Sequence, residues 1–183
     1  MTVDQGQLEV RRVSPADPAT APMMAELTHE YVTRYGERAR EEMARYPTPV
    51  FEPPDGTLLL LLVGGGAVAG GAFKRYDERT AELKRIWTAA GHRRRGLGRR
   101  VVLELEREAL SLGYRRLYLT TGPRQPEAKA LYLALDYTPL FDVDDPPTDG
   151  PLPFGKDLPF ENTLRFEEDL PSTKSLPFEE HLT

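Results

Sequence analysis

The chain has 183 residues, with 24 basic against 29 acidic side chains and a formal net charge of −5, a balance that argues against general nucleic-acid binding. It contains no cysteine, which excludes both a disulfide framework and a thiolate nucleophile. Its most apolar stretch, Leu58 to Phe73, is broken by glycines and falls short of the roughly 18 apolar residues of a membrane span; no secretory pattern opens the chain, so one soluble, cytoplasmic domain is expected.

Leu8 to Ser14 reads as a first strand. Pro15, Asp17 and Pro18 then open a helical region in which Met23, Leu27, Tyr31 and Tyr35 recur every four residues on one face. The proline-rich stretch from Tyr46 to Gly56 is a loop with a turn at Asp55-Gly56. Leu58 to Val63, continuously apolar and too short for a stable helix, suits a buried strand. Gly64 to Gly66 turn it into a hairpin whose second arm runs from Ala67 to Tyr76. Ala81 to Thr88 predicts a fourth strand with Glu82, Lys84, Ile86 and Thr88 on one face.

Five arginines in eight residues follow, Arg93 to Arg100. Val101, Val102, Leu105, Ala109 and Leu112 then form the stripe of a long helix, with Gly113 as its cap. Arg115 to Thr121 reads as a strand, and Pro126 to Leu135 as a helix with Pro126 and Glu127 suited to its first turn. Tyr137 to Phe141 is a short strand. Asp142 to Phe160, rich in proline and aspartate, reads as a long loop, and Thr163 to Leu170 as a returning last strand. "LPF" recurs at Leu152, Leu158 and Leu176, but its irregular spacing makes it a weak repeat.

The arginine loop thus joins a strand to a helix. A helix N-terminus presents unpaired N–H groups and partial positive charge, so it suits phosphate. Gly96 and Gly98 let an anion approach the backbone closely, and the surrounding guanidiniums add charge-assisted contacts. A compact polyphosphate ligand is the reading. The sequence is not the G-x-x-x-x-G-K-[ST] loop of nucleotide hydrolases, and it lacks the glycine pattern of a dinucleotide site.

Arg93 to Gly98 resembles the pyrophosphate loop of the GNAT superfamily of acyl-CoA N-acyltransferases, (Gln/Arg)-x-x-Gly-x-(Gly/Ala). Its context is similar too: the loop follows a fourth strand and precedes a helix, a strand, and a second helix. "ALYLALDY", Ala130 to Tyr137, resembles the family's Leu-Tyr-x-x-x-Gly-(Phe/Tyr) ending, with Asp136 in place of the usual glycine. The resemblance is sharp over Ala81 to Pro139 and topological over most of Leu8 to Leu170. It implies an α/β (α+β) fold: a central mixed, mostly antiparallel sheet of about seven strands, flanked by helices and splayed between strands 4 and 5. Residues 1–170 would form the single acyltransferase domain and residues 171–183 a tail.

The resemblance also implies residue roles. Acetyl-CoA would be the cofactor, its pantetheine paired with Ile86, Trp87 and Thr88. Its pyrophosphate would lie on the N–H groups of Arg94, Arg95, Gly96, Leu97, Gly98 and Arg99, with Arg93 at the motif's first position. Gln125 stands where many members have a cofactor-contacting asparagine. Tyr132 would be the general acid for the departing thiolate, the alternative being a core tyrosine. Glu82 would be the base that deprotonates the amine, directly or through water, the alternative being an ion pair with Lys84 or Arg85. No metal is expected. The function implied is acetyl transfer to a primary amine of a small molecule or peptide by direct attack in a ternary complex, since no acyl-cysteine can form. A non-catalytic acyl-CoA-binding module is the alternative. No nucleic-acid or membrane partner is expected, and pairing into a homodimer is common among relatives.

Overall fold

Leu58 to Leu62 are all buried because the sheet to which they belong is covered on both faces. The computed structural model describes residues 7–159. The strands are β1 (Glu9–Arg12), β2 (Thr57–Val63), β3 (Gly66–Arg75), β4 (Thr80–Thr88), β5 (Arg116–Thr121), β6 (Thr138–Pro139) and β7 (Leu152–Asp157). They form one sheet in the order β1-β2-β3-β4-β5-β7-β6, in which only the β4–β5 pair is parallel. Four helices flank it: α1 (Ala21–Tyr35), α2 (Arg38–Ala44), α3 (Leu97–Ser111) and α4 (Pro126–Ala134). No helix among the described residues is long and apolar enough to cross a membrane.

The leucines of β2 alternate between two cores. Leu59 and Leu61 pack with Val101, Val102, Leu105 and Ala109 of α3. Leu58, Leu60 and Leu62 pack with Met23 and Leu27 of α1. Each buried leucine is worth about 1.5–3 kcal/mol relative to exposure. The glycines of β3 set how close the helices come. A Cβ on Gly70 would lie 3.1 Å from Met23 Sδ, and one on Gly71 2.9 Å from Val101 Cγ1, so both helices occupy space that a side chain would need.

The predicted common face of Glu82, Lys84, Ile86 and Thr88 is broken by a bulge. Ala72 pairs with Lys84 and Gly70 with Trp87, which leaves Arg85 and Ile86 together opposite Gly71. Arg85 takes up the extra residue with φ +60°, as bulged strands do. Ala81 and Leu83 face the α3 core before the bulge, and Ile86 packs on that same core after it. Trp87 turns instead to α1.

A second correction concerns Asp142 to Phe160. This stretch contains β7, which pairs along the whole of β5, whereas the strand expected over Tyr137 to Phe141 shortens to Thr138–Pro139. Proline and glycine disguise β7. The Pro153 carbonyl accepts from Leu140 N at 2.9 Å, so its missing donor also faces the short β6 side, and the β5 ladder loses nothing. The strand expected at Thr163 to Leu170 and the tail from Pro171 lie outside the described residues.

β4 and β5 pair only at Thr80–Arg116, Ala81–Leu117 and Glu82–Tyr118. Beyond Glu82 the two strands part, and the site lies in that opening.

Candidate active site

The start of α3 is rich in unused donors. Gly96 caps it in the left-handed region at φ +75°, a conformation that glycine adopts without strain. The helical ladder begins with Arg100 N donating to Gly96 O at 3.0 Å, and no backbone hydrogen bond engages the N–H groups from Arg94 to Arg99 among the described residues. Two of the arginines are committed: Arg93 pairs with Glu30 at 3.1 Å and Arg100 with Glu104 at 2.6 Å. Arg94, Arg95 and Arg99 are exposed and make no hydrogen bond or ion pair among the described residues. Gly98 sits at the foot of this cluster, where a Cβ would meet Leu131 Cδ2 at 3.5 Å and Thr88 Oγ1 at 3.6 Å.

Where β4 and β5 part, a cavity of about 440 Å³ opens. Tyr31 and Tyr35 of α1, Met43 of α2, Lys84 to Ile86 of β4, the Thr121–Gln125 turn and Tyr132 of α4 all reach it. Tyr132 is 5% exposed, its ring held by Tyr137 at 5.6 Å and Phe154 at 5.8 Å. Its hydroxyl makes no hydrogen bond among the described residues. Burial, helped by Tyr31, raises its ionisation above the ordinary tyrosine value, so the phenol keeps its proton. Tyr132 is thus part of the core and also lines the cavity.

Gln125 is buried. Its Oε1 accepts from Gly122 N at 3.1 Å and from Thr121 Oγ1 at 3.3 Å, and its side chain also hydrogen-bonds Tyr31, which offsets part of the rise that burial causes in that phenol. It ties the end of β5 to α1. Tyr35 fills the space that a Cβ on Gly122 would need, and its buried hydroxyl has no hydrogen-bond partner among the described residues.

Glu82 lies elsewhere. It is 7% exposed, sits at the last position where β4 pairs with β5 and does not line the cavity. Lys74 Nζ lies 3.0 Å from its Oε2 and Lys84 Nζ 2.8 Å from its Oε1, so both oxygens are engaged. Ile86 lines the cavity, Thr88 O accepts from Arg93 Nε at 3.4 Å, and Trp87 Nε1 donates to Glu26 at 3.0 Å. Ala90 N shares that carboxylate, which fastens the arginine loop to α1.

Glu26, Tyr35, Lys84 and Arg85 were not singled out as site residues from sequence. Glu26 acts across 61 residues of separation, and Arg85 enters the cavity through a bulge that strand alternation does not announce. The four-residue spacing that runs through Tyr31 and Tyr35 did place those two rings on one face.

Comparison with known proteins adds an independent view. The family model described as "Acetyltransferase (GNAT) family" matches residues 21–137. The uncharacterized N-acetyltransferase YsnE of Bacillus subtilis (strain 168) is 42% identical over 52 residues, 28% of this chain and 34% of that protein. The match thus spans about a third of that relative's length. An acetyltransferase from Streptococcus agalactiae 2603 superposes with a TM-score of 0.66 at 17% identity, covering 82% of this chain and 98% of that one. A GNAT family acetyltransferase from Elizabethkingia anophelis, solved with acetyl-CoA bound, gives a TM-score of 0.57 at 16% identity over 82% and 98% of the two chains. These structures share the fold, and the family model covers well over half of the 183 residues: this chain belongs to the acetyltransferase (GNAT) family.

Proposed function

We propose that this chain is an N-acetyltransferase that uses acetyl-CoA and a primary amine of a small molecule or peptide, joined by direct attack in a ternary complex. The parting of β4 from β5 carries this reading, because it lies between a cluster of free donors and a buried, unengaged phenol. The residues fit the cofactor. The N–H groups from Arg94 to Arg99 and the side chains of Arg94, Arg95 and Arg99 would hold its diphosphate. The unpaired edge of β4 at Ile86 to Thr88 offers backbone groups to the amides of its arm, and Gln125 keeps the opening in shape. Bound there, acetyl-CoA supplies an activated acyl thioester.

Tyr132 holds its proton on Oη, within the cavity where a thiolate would leave, and donates it. Because burial favours the neutral phenol, the acid is in its working form over the whole neutral range. Glu82 does not line the cavity, and each of its oxygens already meets a lysine. The amine's proton therefore passes to cavity water, and Glu82 serves to position Lys84. The test is a panel of primary amines incubated with the chain and acetyl-CoA, with thiol release measured and acetylated product weighed by mass spectrometry. Release that depends on an amine, with a matching acetylated product, supports the reading. Tight acetyl-CoA binding without turnover of any amine would make the chain an acyl-CoA-binding module instead.

A further inference from the structure

Neighbouring residues of a regular strand point to opposite faces, yet Lys84 and Arg85 both line the cavity between β4 and β5. The bulge makes this possible: Arg85 at φ +60° turns its side chain to the wall formed by α2 and the segment after it. Its guanidinium lies 4.4 Å from the Phe51 ring centre and donates from Nη2 to Met43 O at 3.2 Å. Strained non-glycine backbone of this kind persists where its surroundings enforce it, and it clusters at ligand sites.

The charges here do not balance. Lys74 and Lys84 share the single carboxylate of Glu82 and both stack toward Tyr46, at 5.0 and 5.3 Å. Arg85 has no carboxylate partner among the described residues. Three cations thus gather around one carboxylate beside the cavity, and two of them, Lys84 and Arg85, line it. The acids that reach this cavity are Glu42 and Asp149. Both are exposed, and Glu42 already pairs with Arg45 at 3.2 Å. Burial pulls Arg85 below the ordinary guanidinium value, with no opposing charge to offset it. A half-buried guanidinium with most of its donors unused is incomplete without an anion.

Resting on the acetyl-transfer reading above, we propose that the acceptor is a small amine bearing a carboxylate, with the carboxylate seated against Arg85 and Lys84 and the amine directed toward Tyr132. A planar guanidinium matches a carboxylate with two parallel hydrogen bonds, and the aromatic rings behind the cations leave their donor edges free for it. The cavity, which must also admit the thioester end of the cofactor, has room beside it for an acceptor of amino-acid scale. Polyamines and other polycations meet like charge at the inner wall and are rejected.

The test compares matched acceptors on the whole chain: L-leucine, L-leucinamide and isopentylamine, the corresponding phenylalanine set, the aminophosphonate analogue of leucine, and spermidine. Thiol release gives kcat/KM for each, and calorimetry in the presence of CoA compares N-acetyl-L-leucine with its amide. The amino acids should exceed their amides by roughly 10–100-fold, the worth of a charge-assisted hydrogen bond, and the N-acetyl acid should bind while its amide does not. Arg85→Asn, whose side chain tolerates positive φ, should raise KM for the acid by a similar factor and leave the acetyl-CoA melting shift unchanged. Arg85→Lys should restore part of the affinity. Equal use of acid and amide, preference for spermidine or the aminophosphonate, or an unchanged KM in Arg85→Asn would each overturn the assignment. These outcomes, observed with acetyl-CoA binding intact, leave acetyl transfer standing. Failure of the chain to bind acetyl-CoA would remove both readings.

Discussion

Replacing Tyr132 with phenylalanine separates the chemistry of that residue from its packing. The substitution removes one oxygen and keeps the ring that meets Tyr137 at 5.6 Å and Phe154 at 5.8 Å. Because the hydroxyl has no partner among the described residues, no protein hydrogen bond is lost. The ring packing is kept, so stability should change by less than about 1 kcal/mol, or roughly 2–4 °C in melting temperature for a domain of this size. Loss of a positioned general acid should lower kcat by about 10²–10⁴-fold, equivalent to roughly 3–5 kcal/mol of barrier. Affinity for acetyl-CoA should stay within about threefold, since the proposed diphosphate contacts lie at the start of α3. The assay is amine-dependent thiol release alongside a thermal melt and an acetyl-CoA titration. A kcat near wild type with a depressed melting temperature would show Tyr132 to be a core residue and refute its role as acid.

Gly98→Glu should leave the melting temperature within a few degrees, since a Cβ there meets its nearest neighbours at 3.5 and 3.6 Å. It should weaken acetyl-CoA binding by more than about 100-fold by placing negative charge beside the diphosphate, read by calorimetry. Asp136 holds φ +61°, so Asp136→Gly should stabilise the chain by about 0.5–1 kcal/mol through relief of left-handed strain, seen as a higher denaturant midpoint. Burial raises Tyr132 and Tyr137 above the ordinary tyrosine value. The folded chain therefore keeps protons that the unfolded chain releases near pH 10. Stability should be steady below that pH and fall above it, which melts between pH 8 and 11 would follow.

Sequence reading reached the parts of the fold that rest on local chemistry. The β2 leucines, the α3 stripe and the helix opened by Pro126 each carry their own periodicity or cap, and the arginine loop stands out by composition alone. What escaped it depends on partners distant in sequence. β7 has proline and glycine in place of strand formers because β5 and β6 supply its pairing. The bulge at Arg85 arises from register against Gly70 and Ala72, so a two-residue alternation put Ile86 and Thr88 on the wrong face. The same limit applies to the site. The helix that carries Tyr132 was legible from its motif. Glu82 stood at the expected place on β4, but Lys74, held across from it on β3, could not be foreseen. Arg85, left without a carboxylate partner among the described residues, emerges only once strand and helix are assembled.

Calorimetric titration of the folded chain with acetyl-CoA tests the central claim most directly. The account predicts saturable binding that weakens as salt screens the arginine cluster. At a hundredfold excess over Kd, the bound state should gain about 2.7 kcal/mol and melt several degrees higher. A folded chain that releases no heat and shows no melting shift with acetyl-CoA would contradict the account, and the donors at the start of α3 would then serve another anion.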